Sequence, residues 1–493
     1  MTSPAVPASA DARTGGFVRE LPVLVFILAC SLLFRIWWMN SPVVDHDEQY
    51  YSFIGQAMLD GQVPYVDVWD RKPIGLFLLY WAAHGLLGRA PWAYLVMANM
   101  FACLGAWLVY RIAALISDRR TGWVAALLYI IGMTVYGCRG GQSELLFTPL
   151  CLGMVYLAMA RPGSLRAMVL AMLLGGLAIQ IKYSVAPFCA VFGAYVLIHA
   201  YRLDRSMTRM AGHALLYLAL GLAPTVAVAA WYAATGHFTD FFYANFLSIF
   251  DRPTSTGRFH SGTMSVIGPL LLMVAAGTWA RFRLGQSYPR RESAMVVVMT
   301  AGALASIYST ANVMAYYYAL LVPFAILLAV PFIDLRIPVG RFGAAALVAA
   351  VVVAGNFPAN IAGERGDRIQ FESLAHRIVA HGPVRSLYVF SGPIALYAAT
   401  GTWPHAKYPF PPHSVERVEN PALGRPQEQI VADFISRNPD FIVTRTDPRE
   451  YVSSKTAPMV LETLRVHYAP VGKYEILGDR LTLWQRTPDP TRP

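Results

Sequence analysis

The chain has 493 residues, 56% of them hydrophobic and only 14% charged, with a formal charge of +11. An ordinary soluble chain is about 25% charged, so a string of soluble domains is excluded. The positive surplus lies before Asn356, between apolar runs, where it reports membrane orientation and not a nucleic-acid partner.

Residues 1–20 are small, polar and rich in Ala, Ser and Pro, and are expected to form a disordered cytoplasmic N-terminus. The apolar run 21–39 follows without a small-residue cleavage site, which predicts a retained first span and not a signal peptide. Further apolar runs fall near 92–110, 122–138, 145–160, 167–181, 184–200, 211–234, 263–280, 294–310, 316–334 and 342–356. Basic clusters recur between them, including Arg111, Arg119 and Arg120, then Arg161 and Arg166, then Arg202, Arg205 and Arg209. The positive-inside rule puts each cluster in the cytoplasm. Three apolar runs separate the first two clusters, so one of the three does not cross. The middle run, 73–88, is short, rich in Gly and aromatics and carries His84; it is expected to lie at the outer interface as a juxtamembrane or re-entrant helix, with His84 facing that interface.

The resulting fold class is a polytopic α-helical membrane protein with ~11 crossings of the hydrocarbon layer. The membrane domain is expected over 21–356, with an outer loop at 40–91, and a small outward-facing α/β domain over 357–493. In that tail SLYVF, DFIVT, KYEIL and RLTLW read as strands, the last two joined by a Gly478-Asp479 turn. Helical patterns cover Gln427–Ser436 and 458–466. All five cysteines lie in or beside apolar runs, so no disulfide framework is predicted for the tail.

This topology gathers many polar residues on the outer side. Asp45-His46-Asp47-Glu48-Gln49-Tyr50-Tyr51 is followed by GQAMLDGQVPYVDVWDRKP, which ends in Arg71-Lys72-Pro73. Acids and cations at a membrane edge can hold a base and attract a phosphate; a solvated loop with a helix-capping Asp is the plainer alternative. Arg139 and Glu144 fall in another outer loop, and Lys182 at a span end, where snorkelling is the ordinary explanation. Arg258 and His260 fall in an outer loop too. Tyr316, Tyr317 and Tyr318 read as an interfacial aromatic belt.

An Asp-Glu pair after the first span, then G-x-x-P-Y and K-P before a hydrophobic run, resembles the GT-C membrane glycosyltransferases. The similarity is to the protein mannosyltransferase and lipid A aminoarabinose transferase group, and it extends to the Arg139–Glu144 loop and to AYYYALLVPF. The resemblance implies Asp47 as catalytic base and Lys72 as a ligand of the donor's lipid phosphate. Two positions depart from the aminoarabinose transferases: Tyr50 stands where they tend to have Arg, and their K-P-P is Lys72-Pro73-Ile74.

The expected reaction moves a monosaccharide, a hexose or pentose, from a polyprenyl-phosphate donor to a hydroxyl of an envelope acceptor, with inversion. Lipid A or lipopolysaccharide, a glycan, a glycolipid and a protein all qualify as that acceptor, and membrane lipids are the surrounding partners. Desolvation is expected to raise the base's pKa toward working pH. Lys72, with Arg71, Arg139 or Lys182, would stabilise the leaving phosphate. Glu48 and Glu144 are candidates for acceptor contact or structural support. No cofactor is required; Asp45 and Asp47 are the one pair suited to a divalent cation. The expected location is the cytoplasmic (inner) membrane, with the site and the tail on the periplasmic side. A transporter or flippase, or a non-catalytic envelope assembly subunit, is the alternative. Those classes favour charges near mid-bilayer, whereas here the charges cluster at span ends.

Overall fold

The structure, a computed structural model, describes residues 11–253, 263–310, 313–380, 382, 384–446 and 452–488. Helix α1 (Asp11–Arg35) starts inside the stretch expected to be disordered, and residues 1–10 lie outside the described residues. It is followed by α2 (His46–Leu59), α3 (Ile74–Leu87), α4 (Pro91–Ile116), α5 (Arg119–Val135), α6 (Ser143–Ala160), α7 (Leu165–Ile179), α8 (Ala186–Asp204) and α9 (Met207–Ala234). Short helices α10 (Phe238–Phe242) and α11 (Ser248–Asp251) flank a π-helical turn. Then come α12 (Thr263–Arg283), α13 (Arg290–Tyr308), α14 (Val322–Leu328), α15 (Pro338–Gly355) and α16 (Phe357–Val379).

Every apolar run expected to cross coincides with helix. Among the described residues, six stretches combine the length and hydropathy of a span: Glu20–Trp38, Pro91–Ile116, Ser143–Ala160, Tyr183–Asp204, Met207–Ala234 and Pro338–Val379. The protein is a multi-pass membrane protein. The run 316–334 is broken into a 3-10 segment (Ala315–Leu321), α14 and a second 3-10 turn (Val330–Phe332). Pro323 and Pro331 stand at the starts of the last two, where a missing N–H is tolerated.

Helix α3 has 14 residues. At 1.5 Å per residue it spans about 21 Å, less than the ~30 Å of a hydrocarbon core. It packs against α2 through Gly55, where an added Cβ would lie 2.8 Å from the Cβ of Tyr80. His84 does not face the interface as expected. It is buried against α2, one ring nitrogen 2.9 Å from the Ser52 hydroxyl and the other 3.0 Å from the Gly88 carbonyl. Satisfying both ring nitrogens internally is what draws it inward.

The tail contains α17 (Leu396–Thr400), α18 (Pro411–Val415), α19 (Gln427–Ser436) and α20 (Thr456–His467). Its strands are β1 (Leu387–Val389), β2 (Phe441–Arg445), β3 (Tyr468–Ile476) and β4 (Asp479–Arg486), forming one sheet of order β1-β2-β4-β3. β1 runs parallel to β2, and the other neighbours are antiparallel. The hairpin turn is Leu477-Gly478, one residue earlier than predicted, because Ile476 pairs with Asp479. Both turn residues have positive φ (52° and 73°), as a two-residue primed turn requires. The tail rests directly on the segment 40–91: the Trp69 N–H donates to the Lys407 carbonyl at 2.8 Å, and the Tyr50 ring stacks on Phe410 at 4.3 Å.

Candidate functional site

Asp45 caps α2, its Oδ1 accepting the Asp47 N–H at 2.9 Å and the Gln142 side-chain amide at 2.7 Å. Asp47 and Glu48 then occupy the first turn, where the helix dipole favours carboxylates. Asp47 faces a cavity of about 220 Å³ whose walls come from the segment 40–91, from Tyr316 and Tyr317, and from the tail segment 410–419. The Tyr316 hydroxyl donates to Asp47 Oδ2 at 3.0 Å. Lys72 lines the same cavity, its ammonium 5.4 Å from the Tyr51 ring centre. Its backbone is fixed at both ends: the N–H donates to Asp70 Oδ1 at 3.0 Å and the carbonyl accepts the Tyr65 hydroxyl at 2.7 Å.

The electrostatics differ from the sequence expectation. Burial raises the Asp47 carboxyl, but the Lys72 charge, the Tyr316 hydrogen bond and Lys182 outweigh it and hold Asp47 below the usual aspartate value. The neighbour carries the raised value instead: burial first, and the Asp47 charge second, push Asp45 up to about 7. Burial also raises Asp70.

Glu48 is fully buried beside this site. Its carboxylate accepts the Gly141 N–H and faces the Tyr94 hydroxyl at 3.4 Å. A side chain on Gly140 would overlap both carboxylate oxygens, which gives the Gly140-Gly141 pair its reason. Arg35, at the end of α1, holds the same loop by donating to the carbonyls of Cys138 (2.5 Å) and Gly140 (3.3 Å). Burial raises the Glu48 carboxyl well above the glutamate range.

The remaining cations separate. Lys182 is not a snorkelling lysine. It is buried, ion-paired with Glu144, and lies 3.7 Å from the Tyr317 ring centre, because a partner carboxylate and two rings replace water around it. Glu144 also accepts the Ser143 hydroxyl at 2.9 Å. Arg71 lines the cavity, but its guanidinium is ion-paired with Glu419 of the tail, which Arg252 also contacts at 2.8 Å. Arg139 is not among the cavity's lining residues; its guanidinium lies 5.7 Å from the Trp38 ring centre. Arg258 and His260 lie outside the described residues. Among the described residues, no group of three His, Cys, Asp or Glu is placed to hold a metal ion.

Sequence reasoning missed Tyr316 and Tyr317, which it assigned to an aromatic belt; they face Asp47 and Lys182. It also missed Arg35, Arg252 and Glu419. The lone Arg at the end of the first apolar run was a usable signal for Arg35. Nothing local distinguishes Glu419 from other tail acids.

A family model for dolichyl-phosphate-mannose-protein mannosyltransferase matches residues 71–231, a segment that includes Lys72, Arg139, Glu144 and Lys182. No curated protein matches the chain in sequence. Among solved structures, ArnT from Cupriavidus metallidurans bound to undecaprenyl phosphate aligns over 96% of this chain and 99% of its own, with a TM-score of 0.65 and 15% identity. The same protein in its apo state covers 97% of this chain and 100% of its own, at a TM-score of 0.62 and 14% identity. The oligosaccharyltransferase AglB from Archaeoglobus fulgidus, in complex with an inhibitory peptide and a dolichol-phosphate, covers 86% of this chain and 69% of its own, at 0.50 and 14%. The chain therefore has the GT-C membrane glycosyltransferase fold. The family-model match is confined to residues 71–231, and the likeness in fold to ArnT extends over nearly the whole chain.

Proposed function

We propose that this protein is an inverting glycosyltransferase that moves a monosaccharide from a polyprenyl-phosphate donor to a hydroxyl of an envelope acceptor, on the outer face of the cytoplasmic membrane. The observation that carries the reading is that Asp47 and Lys72 face one cavity roofed by the tail. In support, one structure of the same fold was solved with undecaprenyl phosphate and another with a dolichol-phosphate.

The acceptor hydroxyl gives its proton to Asp47 as its oxygen attacks the anomeric carbon. The bond from that carbon to the phosphate oxygen breaks, and Lys72 meets the charge gathering on the departing phosphate. In-line attack inverts the anomeric centre. The Lys72 charge helps hold Asp47 low. A donor phosphate on Lys72 neutralises that cation and adds a like charge nearby, so donor binding raises Asp47 and strengthens it as a base.

Purified protein in liposomes, given synthetic polyprenyl-phosphate sugars and an envelope lipid extract, is expected to release polyprenyl phosphate and form a product of inverted anomeric configuration. Failure to turn over any such donor, or retention at the anomeric carbon, contradicts the reading. Mass spectrometry of envelope lipids, glycans and proteins from a deletion strain is expected to show one lost sugar, which identifies the acceptor.

A further inference from the structure

Helix α2 has two polar faces. Asp47, Tyr50 and Tyr51 look into the cavity above, while Gln49, Ser52 and Gln56, three to four residues apart, line a separate cavity of about 490 Å³. That volume is within the usual range for small-molecule sites. Its far wall belongs to the tail, with Ala395, Ala398 and Trp403; the Trp403 ring lies 4.5 Å from that of Phe53.

The polar groups that α2 presents here are neutral, and Arg89 and Glu372 are the charged side chains that also line the cavity. Gln49 is buried; its side-chain oxygen accepts the Ala395 N–H at 3.4 Å, and its amide nitrogen has no hydrogen-bond partner among the described residues. The Ser52 hydroxyl bonds His84 and accepts the Gln56 amide at 3.3 Å. Both of these charges are already paired: Arg89 with Asp60 at 2.5 Å and Glu372 with Arg368 at 3.8 Å. Amides, a hydroxyl and an aromatic wall suit a ligand with several hydroxyls and one apolar ring face. An acyl chain leaves the Gln49 amide unsatisfied, and a phosphate meets only cations that already have carboxylates.

Asn40 and Pro91 place the cavity beside the end of α1 and the start of α4, where Trp37 and Trp92 are exposed. Such tryptophans sit at headgroup level. We propose that this cavity is a second, non-catalytic carbohydrate site that takes a neutral sugar unit.

Saturation-transfer NMR on the full-length protein in phospholipid nanodiscs, with methyl α-mannoside and methyl β-glucoside as probes, tests this without any transfer assay. Ring-proton saturation is expected in the unsubstituted protein and, undiminished, in Asp47→Asn. It is expected to fall about fivefold or more in Gln49→Leu, the loss of one neutral hydrogen bond, and in Ala398→Trp, which fills the cavity. Thermal unfolding checks that each variant folds, and Gln56→Leu replaces either that does not. Competition from a neutral glucosyl diacylglycerol in the nanodisc assigns the sugar to a lipid, and its absence to a free glycan. No saturation in the unsubstituted protein, undiminished saturation in the variants, loss in Asp47→Asn, or tighter binding of glucose 6-phosphate overturns the proposal.

Discussion

Asp47 and Lys72 share a cavity, yet their burdens differ. Asp47 is fixed by the Tyr316 hydroxyl and by its backbone bond to Asp45, whereas the Lys72 ammonium rests over an aromatic ring. Lys72→Ala is therefore expected to weaken donor binding by about 10- to 100-fold, the ~1.5–3 kcal/mol of a charged hydrogen bond. Titration of donor-containing nanodiscs measures this, and unchanged affinity removes Lys72 from the site. Asp45 gives a pH prediction. Its pKa is about 7 in the folded protein, against about 3.9 unfolded. The folded state holds the proton more tightly, so this group's contribution is fully present below about pH 4 and is lost as pH rises through about 7. Asp45→Asn is expected to remove that decline from a plot of melting temperature against pH, and an unchanged slope contradicts the assignment. The sequence put an acid here but could not rank adjacent carboxylates, because their order depends on Lys72, Lys182 and Tyr316, brought together only by folding.

At the scale of elements, α2 is positioned by the 138–143 loop and by α3. Glu48 reaches across to the Gly141 amide, and Arg35 fixes the loop's carbonyls from the other side. Gly140→Ala is expected to displace the Glu48 carboxylate and cost about 1–3 kcal/mol by overpacking. Thermal unfolding measures the cost, and a neutral effect denies the loop its clamping role. Hydropathy made the helices legible, the short run 73–88 included. The use of Gly140-Gly141 was not legible: the pair is too short to read as a phosphate loop, and its partner is 92 or more positions away in sequence. The same holds for the 3-10 break that brings Tyr316 and Tyr317 to the cavity, since an aromatic run before proline looks like an interfacial belt.

For the whole molecule, the tail closes the candidate site, and beside backbone and ring contacts the Glu419 carboxylate ties it to the membrane part. Burial raises Glu419, but Arg71 and Arg252 outweigh it and hold it at about 2. This tether's contribution is present above the ordinary glutamate pKa and is lost as pH falls through about 2. Glu419→Ala leaves two part-buried guanidinium groups without their carboxylate, an expected loss of about 1.5–3 kcal/mol in unfolding stability. A neutral substitution there contradicts the tether. The strands and helices of the tail were readable from local pattern, but its docking was not, because Phe410 and Glu419 carry no signal that they meet Tyr50, Arg71 and Arg252. Orientation is tested separately: Asp67→Cys is expected to react with an impermeant reagent in intact cells, and protection places the first loop inside.

The central claim is that Asp47 removes the acceptor proton. Asp47→Asn keeps the shape and the hydrogen-bonding capacity toward Tyr316 but loses the base. Single-turnover transfer from a polyprenyl-phosphate sugar, measured beside donor binding in the same preparation, decides the matter. Donor binding is expected to stay close to that of the unsubstituted protein, with transfer lowered by about 100-fold or more. Transfer at the full rate contradicts it.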